Sequence, residues 1–308
     1  MKISEILVKS FSEKNGLQRF LSRKVLFNLG ELMGFHVVGD HFYEPIPNIR
    51  ELRRTYDENR GPLPAGHDFD FAAGSAAHAA RLKAYGAEGL KRSREIGFEK
   101  NPYFRMHDAA SLYSIIRDRK IRSVVEVGQG YSTMVALAAL KANEEETGQP
   151  VSLISIDPFD RLKAQGNEHV GKNVRSILKN VQDVSVDEIA GNLGEASLLI
   201  TDSSHVFKSG SDVECLMRKI YPAIPPETML HVHDIYTPYP TPLTRIVDDK
   251  LFFNEQDHLE SFLAFNTSFD IFCPVYWVFK DSQEVRQAFD GIGFEPDLPG
   301  NSFYMLRK

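Results

Sequence analysis

The chain has 308 residues and a formal charge of −6, and 42% of its residues are hydrophobic and 25% are charged. This is the composition of a globular protein, long enough for one catalytic domain and a smaller appended unit. The acidic balance leaves no excess of basic groups to neutralise a phosphate backbone, which argues against a nucleic-acid partner. We therefore expect a small-molecule substrate.

The cysteine content and the hydropathy indicate a cytoplasmic setting. Two cysteines occur, Cys215 and Cys273, and each lies in an apolar stretch where a free thiol behaves as a small hydrophobe. The sequence has no run of about 18 apolar residues, and its N-terminus lacks the apolar core of a secretory signal. These features predict a soluble protein without a membrane partner.

The first third of the chain is predicted to be helical. Apolar residues recur at helical spacing over residues 2–33, with one interruption, which indicates two short helices. Two prolines in residues 41–48 force an extended segment, and residues 50–107 are mainly helical in pattern. We interpret residues 1–104 as a helical extension that either caps the acceptor pocket or forms a homodimer interface.

From residue 105 onwards, strand and helix patterns alternate. A helix at residues 108–116 precedes the apolar run Ser123–Val127, which is typical of a buried parallel strand. Further strands, separated by helical sequence, are predicted at residues 153–156, 181–184, 196–200 and 229–232. This alternation predicts an α/β fold in which residues 105–308 form a doubly wound, Rossmann-like and mostly parallel sheet.

The C-terminal tail is predicted to close the sheet with an antiparallel edge. Two strands are expected, at residues 270–279 and 302–306, with a short helix at residues 282–289 between them.

A glycine-rich loop follows the first strand of the alternating region. Gly128 and Gly130 allow a tight turn and a close approach to a ligand, at the sheet edge where doubly wound folds bind nucleotides. After Tyr131, the hydroxyl groups of Ser132 and Thr133 can cap the next helix or face a ligand at its N-terminus. The loop predicts a site for a nucleotide-like cofactor.

The residues around the loop discriminate between two classes of cofactor. The dinucleotide fingerprint requires a third glycine where this sequence has Thr133, and Glu126 would repel a pyrophosphate. The same carboxylate suits the amino group and the sulfonium of S-adenosylmethionine. Asp157, at the end of the second strand, can bind a ribose diol in either class, and Phe159 can cover an adenine. Asp183 is either a partner of the adenine amino group or a solvated loop acid.

Two aspartates end the fourth and fifth strands. If these strands are neighbours, the carboxylates of Asp202 and Asp234 project into one crevice and suit a hard divalent cation such as magnesium. A third metal ligand is not identified, and the alternative is that one aspartate caps a helix or bonds a loop. His205 lies three residues after Asp202, and an imidazole with an ordinary pKa of about 6.5 is a suitable general base.

Two further histidines flank Val232 in the fifth strand. His231 and His233 are predicted to point to the same face, because side chains alternate along a strand. We predict that His231 is a buried, hydrogen-bonded strand residue and that His233 orients Asp234.

Three segments resemble strand ends of a known enzyme family. VEVGQGYST, residues 125–133, resembles the first motif of class I S-adenosylmethionine-dependent methyltransferases, although Ser132 replaces a glycine that is common there. ITDSSH (200–205) and HVHDI (231–235) are similar to the fourth and fifth strand ends of a bacterial branch that includes macrolide-sugar O-methyltransferases. In relatives of this kind, acidic metal ligands occupy these strand ends and the histidine of the Asp-Ser-Ser-His segment is the base.

The resemblance covers about residues 105–308 and implies O-methylation of a small hydroxylated metabolite, such as a sugar or a natural-product intermediate. It implies S-adenosylmethionine as cofactor, magnesium at Asp202 and Asp234, and catalysis by His205 with these two aspartates. Three alternatives stay open: nitrogen or carbon methylation with the same cofactor, an NAD-dependent oxidoreductase, and a non-catalytic scaffold with a nucleotide-binding fold.

Overall fold

The computed structural model of the chain describes residues 26–35, 45–95, 103–293 and 299–308. Much of the predicted N-terminal helical region, and the start of the predicted extended segment, therefore lie outside the described residues. The chain divides into two compact units, one of Met1–Asp57 with Leu243–Phe252 and one of Glu58–Pro242 with Phe253–Lys308. The division after residue 104 that the sequence suggests stays a prediction.

The helices and strands are labelled in chain order. The helices are α1 (Phe27–Met33), α2 (Ile49–Thr55), α3 (Phe71–Glu95), α4 (Met106–Asp118), α5 (Tyr131–Thr147), α6 (Arg161–Ala164), α7 (Glu168–Gly171), α8 (Val186–Ala190), α9 (Asp212–Cys215, continued by a π-helical turn at Leu216–Ile220 and by Tyr221–Ala223), α10 (Leu243–Val247), α11 (Glu255–Leu263), α12 (Val275–Asp281) and α13 (Gln283–Ile292). The strands are β1 (Ser123–Val127), β2 (Ser152–Ile156), β3 (Arg175–Ile177), β4 (Ser197–Thr201), β5 (Met229–Val232), β6 (Phe269–Pro274) and β7 (Phe303–Arg307).

The first unit contains α1, α2 and α10 among its described residues. Helix α2 begins after Asn48, whose Oδ1 accepts hydrogen bonds from the backbone N–H groups of Arg50 and Glu51. Arg53 of the same helix forms an ion pair of 2.9 Å with Asp248. Both side chains are exposed, so this pair stabilises the unit only weakly.

The second unit is built on a seven-stranded sheet with the strand order β3-β2-β1-β4-β5-β7-β6. Strands β1 to β5 are parallel, and β7 runs antiparallel between β5 and β6. Strands β4 and β5 are buried along their whole length, as expected for a parallel sheet covered on both faces. The predicted Rossmann-like sheet with an antiparallel C-terminal edge is confirmed.

The order of strands reverses between β1 and β4, which brings the loops after these two strands together. In doubly wound sheets, ligands bind in the crevice at this reversal, beyond the carboxyl ends of the strands. Helices α4 and α5 pack together beside β1, and α3 packs against α4 and α13. None of the helices in the described part of the chain is long and apolar enough to cross a lipid bilayer.

One predicted strand is wrong and another is wrong in part. Residues 181–183 form a 3₁₀ turn rather than a strand, and the third strand is the shorter segment Arg175–Ile177. Val181 and Val184 are buried as anchors of this turn, which accounts for their apolar character. The predicted strand 270–279 ends at Pro274, and α12 follows with Val275 and Val278 buried on one face. Proline cannot donate a hydrogen bond to a strand ladder, and it favours the start of a helix.

Candidate active site

The two glycines of the loop after β1 differ in the space that their backbone leaves for a side chain. Gly128 has a φ of +98°, and a Cβ atom there would lie 1.8 Å from the carbonyl oxygen of Asp202 at the end of β4. Position 128 therefore has no room for a side chain, because the ends of β1 and β4 are in contact there. Gly130 is extended, with a φ of −178°, and a Cβ atom there would meet no atom within 4 Å. The space beside Gly130, at the N-terminus of α5, is open.

Glu126 is fully buried and orders the glycine loop. Its Oε1 accepts a hydrogen bond of 2.6 Å from Ser132, and its Oε2 accepts bonds from Thr133 and Ser155 at 2.5 and 3.1 Å. Burial raises the pKa of Glu126 to about 7, although the three hydroxyl donors oppose this shift. The carboxylate predicted to meet a cofactor amino group is thus already bonded within the protein.

Asp157 ties the loop after β1 to the loop after β2. Its carboxylate accepts hydrogen bonds from the backbone N–H groups of Gln129 and Phe159 at 3.0 and 2.8 Å, and from Nε of Arg161 at 2.8 Å. The side chain of Gln129 is buried and accepts a bond of 3.0 Å from the backbone N–H of Leu162. Gln129 and Arg161 were not singled out from the sequence, because neither residue type has a fixed role in such loops.

Two further residues predicted to bind the cofactor are exposed. The Phe159 ring is 65% exposed, with the guanidinium of Arg161 at 5.7 Å from its centroid. Asp183 is exposed in the 3₁₀ turn, and its Oδ2 accepts a hydrogen bond of 3.2 Å from Asn180. An apolar ring open to solvent leaves a surface available to a ligand, whereas the position of Asp183 also fits a solvated loop acid.

The residues predicted at the ends of β4 and β5 lie together. Nε2 of His205 is 3.3 Å from Oδ1 of Asp202 and 3.5 Å from Oδ2 of Asp234. Nδ1 of His233 is 3.4 Å from the same Asp202 oxygen. His205 and Asp234 have φ values of +58° and +57°, a left-handed conformation that costs a non-glycine residue about 1 kcal/mol or more. Strain at two such residues is typical of functional sites.

A second layer of acidic residues surrounds these imidazoles. Nδ1 of His205 is 2.8 Å from Oε2 of Glu255, the first residue of α11, and Nε2 of His233 is 3.5 Å from Oδ2 of Asp108 in α4. Both carboxylates are buried. Neither residue was predicted, because Glu255 lies 50 residues after His205 and nothing in the local sequence marks the contact.

Asn301 holds Asp234 from the other side. Its Nδ2 donates hydrogen bonds to Oδ1 of Asp234 at 2.5 Å and to the hydroxyl group of Tyr236 at 3.0 Å. Asn301 is fully buried just before β7, so the antiparallel edge of the sheet contributes to the site. This residue was not predictable from the sequence, because its contact depends on how the C-terminal tail returns to the sheet.

The acidic surroundings control the protonation of the histidines. Burial opposes a charge on His205, but its contacts with Asp202 and Glu255 and the charges of Glu255 and Asp234 raise its pKa to about 10. Burial also opposes a charge on Asp202, yet the charge of His233 and the contacts with both imidazoles hold the pKa of Asp202 well below its usual range. With nothing else bound, His205 therefore carries a proton at neutral pH.

His231 is a strand residue whose ring is buried in the sheet. It is fully buried in β5, and its ring lies 6.0 Å from that of His233, in keeping with the predicted common face. Its ring stacks on Tyr304, and neither ring nitrogen has a hydrogen-bond partner among the described residues. The predicted buried, hydrogen-bonded strand position is confirmed for the backbone, whose carbonyl oxygen accepts a bond of 3.1 Å from the Thr201 hydroxyl. Burial and the charge of His233 lower the pKa of His231 to about 3, so the ring is neutral.

Comparison with known protein families gives one match. Residues 125–235 match a family described as a methyltransferase domain. The matched segment runs from β1 to just beyond β5 and includes the glycine loop and both acidic strand ends. This match on a doubly wound sheet bears out the predicted methyltransferase class. The macrolide-sugar branch stays a prediction.

Comparisons with individual proteins show only distant similarity. The chain has no match among curated proteins. Among solved structures, it is similar to the SAH-bound methyltransferase PaMTH1 of Podospora anserina, with 13% identity, 80% of this chain and 100% of that chain covered, and a TM-score of 0.36. A candidate methyltransferase from Thermobifida fusca YX is 12% identical over 78% of this chain and 89% of that chain, with a TM-score of 0.39.

Proposed function

We propose that this enzyme transfers a methyl group from S-adenosylmethionine to a hydroxyl oxygen of a small metabolite, such as a sugar or a natural-product intermediate. The observation that carries the proposal is the position of His205 between Asp202 and Asp234, at the ends of neighbouring strands and next to the glycine loop. A hydroxyl acceptor needs a group that removes its proton, whereas many nitrogen acceptors need only alignment.

The donor half of the site is proposed to lie along the glycine loop. The open space beside Gly130, at the N-terminus of α5, suits the carboxylate of the methionine moiety. Asp157 has lone pairs left for the ribose diol, and the exposed ring of Phe159 can cover the adenine. We assign to Glu126 the ordering of this loop, through its hydrogen bonds with Ser132, Thr133 and Ser155.

The acceptor half depends on His205. Because Nδ1 of His205 faces Glu255, Nε2 is the atom that can accept the hydroxyl proton while the oxygen attacks the methyl carbon and the carbon–sulfur bond breaks. The carboxylates around His205 hold a proton on it at neutral pH, and positive charge entering the site is expected to release that proton. In-line displacement requires little else from the protein beyond alignment of the reactants.

Binding and turnover test the proposal separately. Calorimetric titration with S-adenosylmethionine and with NAD should give binding of the first alone, and binding of NAD alone would contradict the proposal. Turnover with carbon-13-labelled methyl donor, over a panel of hydroxylated sugars and natural products, should give an O-methyl resonance by NMR. An N-methyl or C-methyl resonance would contradict the acceptor assignment.

His205→Ala tests the role of the base. We expect a fall in turnover of about 10²- to 10⁴-fold, the usual contribution of a general base, with little change in the affinity for S-adenosylmethionine. His67→Gln is a matched control, because His67 bonds the carbonyl oxygen of Leu263 and is not part of the cluster at the ends of β4 and β5. Full activity of the alanine variant would contradict the assignment.

A further inference from the structure

The side chains of Asp202, His205 and His233 form a cluster of a kind that binds metal ions. One ligand atom from each residue lies within 4.8 Å of the others. We propose that this cluster binds a divalent transition-metal ion, for which zinc is the reference case, rather than magnesium. The inference rests on the proposed function only for what the ion does there, because binding itself is measurable without turnover.

The separations within the cluster suit a shared ion better than direct hydrogen bonds. Oδ1 of Asp202 is 3.3 Å from Nε2 of His205 and 3.4 Å from Nδ1 of His233, whereas hydrogen bonds between nitrogen and oxygen are usually about 2.7–3.2 Å. Two donors held by one ion at about 2.1 Å with tetrahedral angles lie about 3.4 Å apart. Oδ2 of Asp234 lies 3.5 Å from Nε2 of His205, beside the cluster.

The second layer of carboxylates is the independent observation that points to a metal site. Histidines that bind metals almost always present their other ring nitrogen to a carboxylate, a carbonyl oxygen or water, which fixes the orientation of the ring. His205 meets this condition, since its Nδ1 lies 2.8 Å from Oε2 of Glu255, and Nε2 of His233 is turned toward Oδ2 of Asp108 at the longer distance of 3.5 Å. Glu255 is 2% exposed and Asp108 is fully buried, so these charges do not arise from a solvated surface.

The types of donor argue against magnesium, which the sequence suggested. Magnesium requires oxygen ligands and retains bound waters, whereas two imidazoles with carboxylates are typical of zinc, iron and related ions. Three protein ligands leave coordination positions open to a substrate oxygen. A bound ion would act as a Lewis acid toward the acceptor hydroxyl. His205 would then be one of its ligands, and Nε2 would serve as a base only in the ion-free protein.

The test begins with the wild-type protein. After removal of metals by dialysis against a chelator, titration calorimetry with zinc chloride and magnesium chloride should give one zinc site at least about 100-fold tighter than magnesium. Addition of one equivalent of cobalt(II) should give the visible absorption bands of a low-coordinate site with nitrogen ligands. Equal and weak affinities for zinc and magnesium, or a cobalt spectrum identical to that of the aqueous ion, would overturn the inference.

Two variants and one control assign the site to these residues. His233→Gln should weaken zinc binding by at least about 100-fold, and Glu255→Gln, which keeps all three proposed ligands, by about 10- to 100-fold. His67→Gln should leave the affinity unchanged. Circular dichroism checks the fold of each variant, and the wild-type cobalt spectrum decides the question if a variant does not fold. Unchanged zinc affinity in a folded His233→Gln protein would overturn the inference.

Failure of this inference and failure of the proposed function are distinguishable. A protein that binds zinc tightly but binds no S-adenosylmethionine would contradict the proposed function alone. A protein that methylates hydroxyl groups at the same rate before and after chelation, and binds no zinc, would contradict the metal site alone.

Discussion

Gly128 and Gly130 give the sharpest contrast at the scale of single residues. In Gly128→Ala the new methyl group meets the Asp202 carbonyl oxygen in a backbone conformation that L-residues avoid, so we expect a loss of at least about 2 kcal/mol of folding stability. Gly130→Ala adds the same methyl group in open space and should leave stability nearly unchanged while weakening the binding of S-adenosylmethionine. Urea denaturation and calorimetry measure the two effects, and equal destabilisation by both substitutions would contradict this assignment.

Glu126 is expected to make stability depend on pH. Burial raises the pKa of Glu126 to about 7 in the folded protein, from an ordinary value of 4.5. Its contribution to folding stability is therefore complete below the unfolded pKa and is lost as pH rises through about 7. Glu126→Gln removes this dependence. We therefore expect the free energy of unfolding of the variant, relative to that of the wild type, to rise by up to about 3 kcal/mol between pH 5 and pH 8. Urea denaturation at the two pH values measures this difference.

The same variant separates two roles of Glu126 in cofactor binding. If the carboxylate only orders the loop, glutamine keeps one oxygen acceptor for a hydroxyl group, its NH2 group can donate to the other hydroxyl oxygen, and the affinity for S-adenosylmethionine should fall by less than about tenfold. If the carboxylate also meets the cofactor amino group, the loss of a charged hydrogen bond should cost about 1.5–3 kcal/mol, which calorimetry would detect as a larger fall.

At the scale of elements, Asp108 fixes the antiparallel edge of the sheet to α4. Its Oδ1 accepts hydrogen bonds from the backbone N–H groups of Asn301 and Ser302 at 2.9 Å each, and from the Ser302 hydroxyl at 2.6 Å. Asp108→Ala leaves these buried donors without a partner and should cost about 3–5 kcal/mol of stability in urea denaturation.

Asp108→Asn is the matched control for this prediction. It keeps a side-chain oxygen for the three donors and replaces the charged oxygen that faces His233 with a neutral NH2 group, so we expect a loss below about 2 kcal/mol. A loss as large as that of the alanine variant would show that the charge, rather than the hydrogen bonds to the start of β7, provides the stabilisation.

Elements with unambiguous periodicity were predictable from the sequence. The short apolar runs of β1 and β5 are flanked by polar residues and long helical patterns, and they form strands at the predicted positions. The segment after Pro274 was not predictable in this way, because its apolar and aromatic residues satisfy a strand pattern as well as a helical one. Tertiary packing of Val275 and Val278 into the core decides between the two.

The candidate site was predictable only where it depends on strand order. Neighbouring parallel strands end at one edge of the sheet, so Asp202, His205 and Asp234 could be brought together from the sequence alone. Glu255, Asp108 and Asn301 could not, because they come from α11, α4 and the segment before β7, whose docking depends on side-chain packing over long sequence separations. These three unpredicted residues determine whether the site suits an ion.

At the scale of the whole molecule, α1 of the first unit carries exposed apolar side chains among the described residues. Leu29, Leu32 and Met33 of α1 are 51%, 86% and 65% exposed. Adjacent exposed apolar residues of this kind are typical of interaction surfaces. They support the expectation that the chain forms a homodimer through its N-terminal region.

Sedimentation velocity over a range of protein concentrations tests this expectation. The wild type should sediment as a dimer at micromolar concentration, and the double variant Leu29→Glu with Leu32→Glu should raise the dissociation constant at least about tenfold, because two charges would have to be buried in the interface. Glu31→Gln alters an exposed polar residue of the same helix and should leave the dimer intact. A wild-type protein that remains monomeric throughout, or a double variant that dimerises as tightly as the wild type, would contradict a homodimer built on α1.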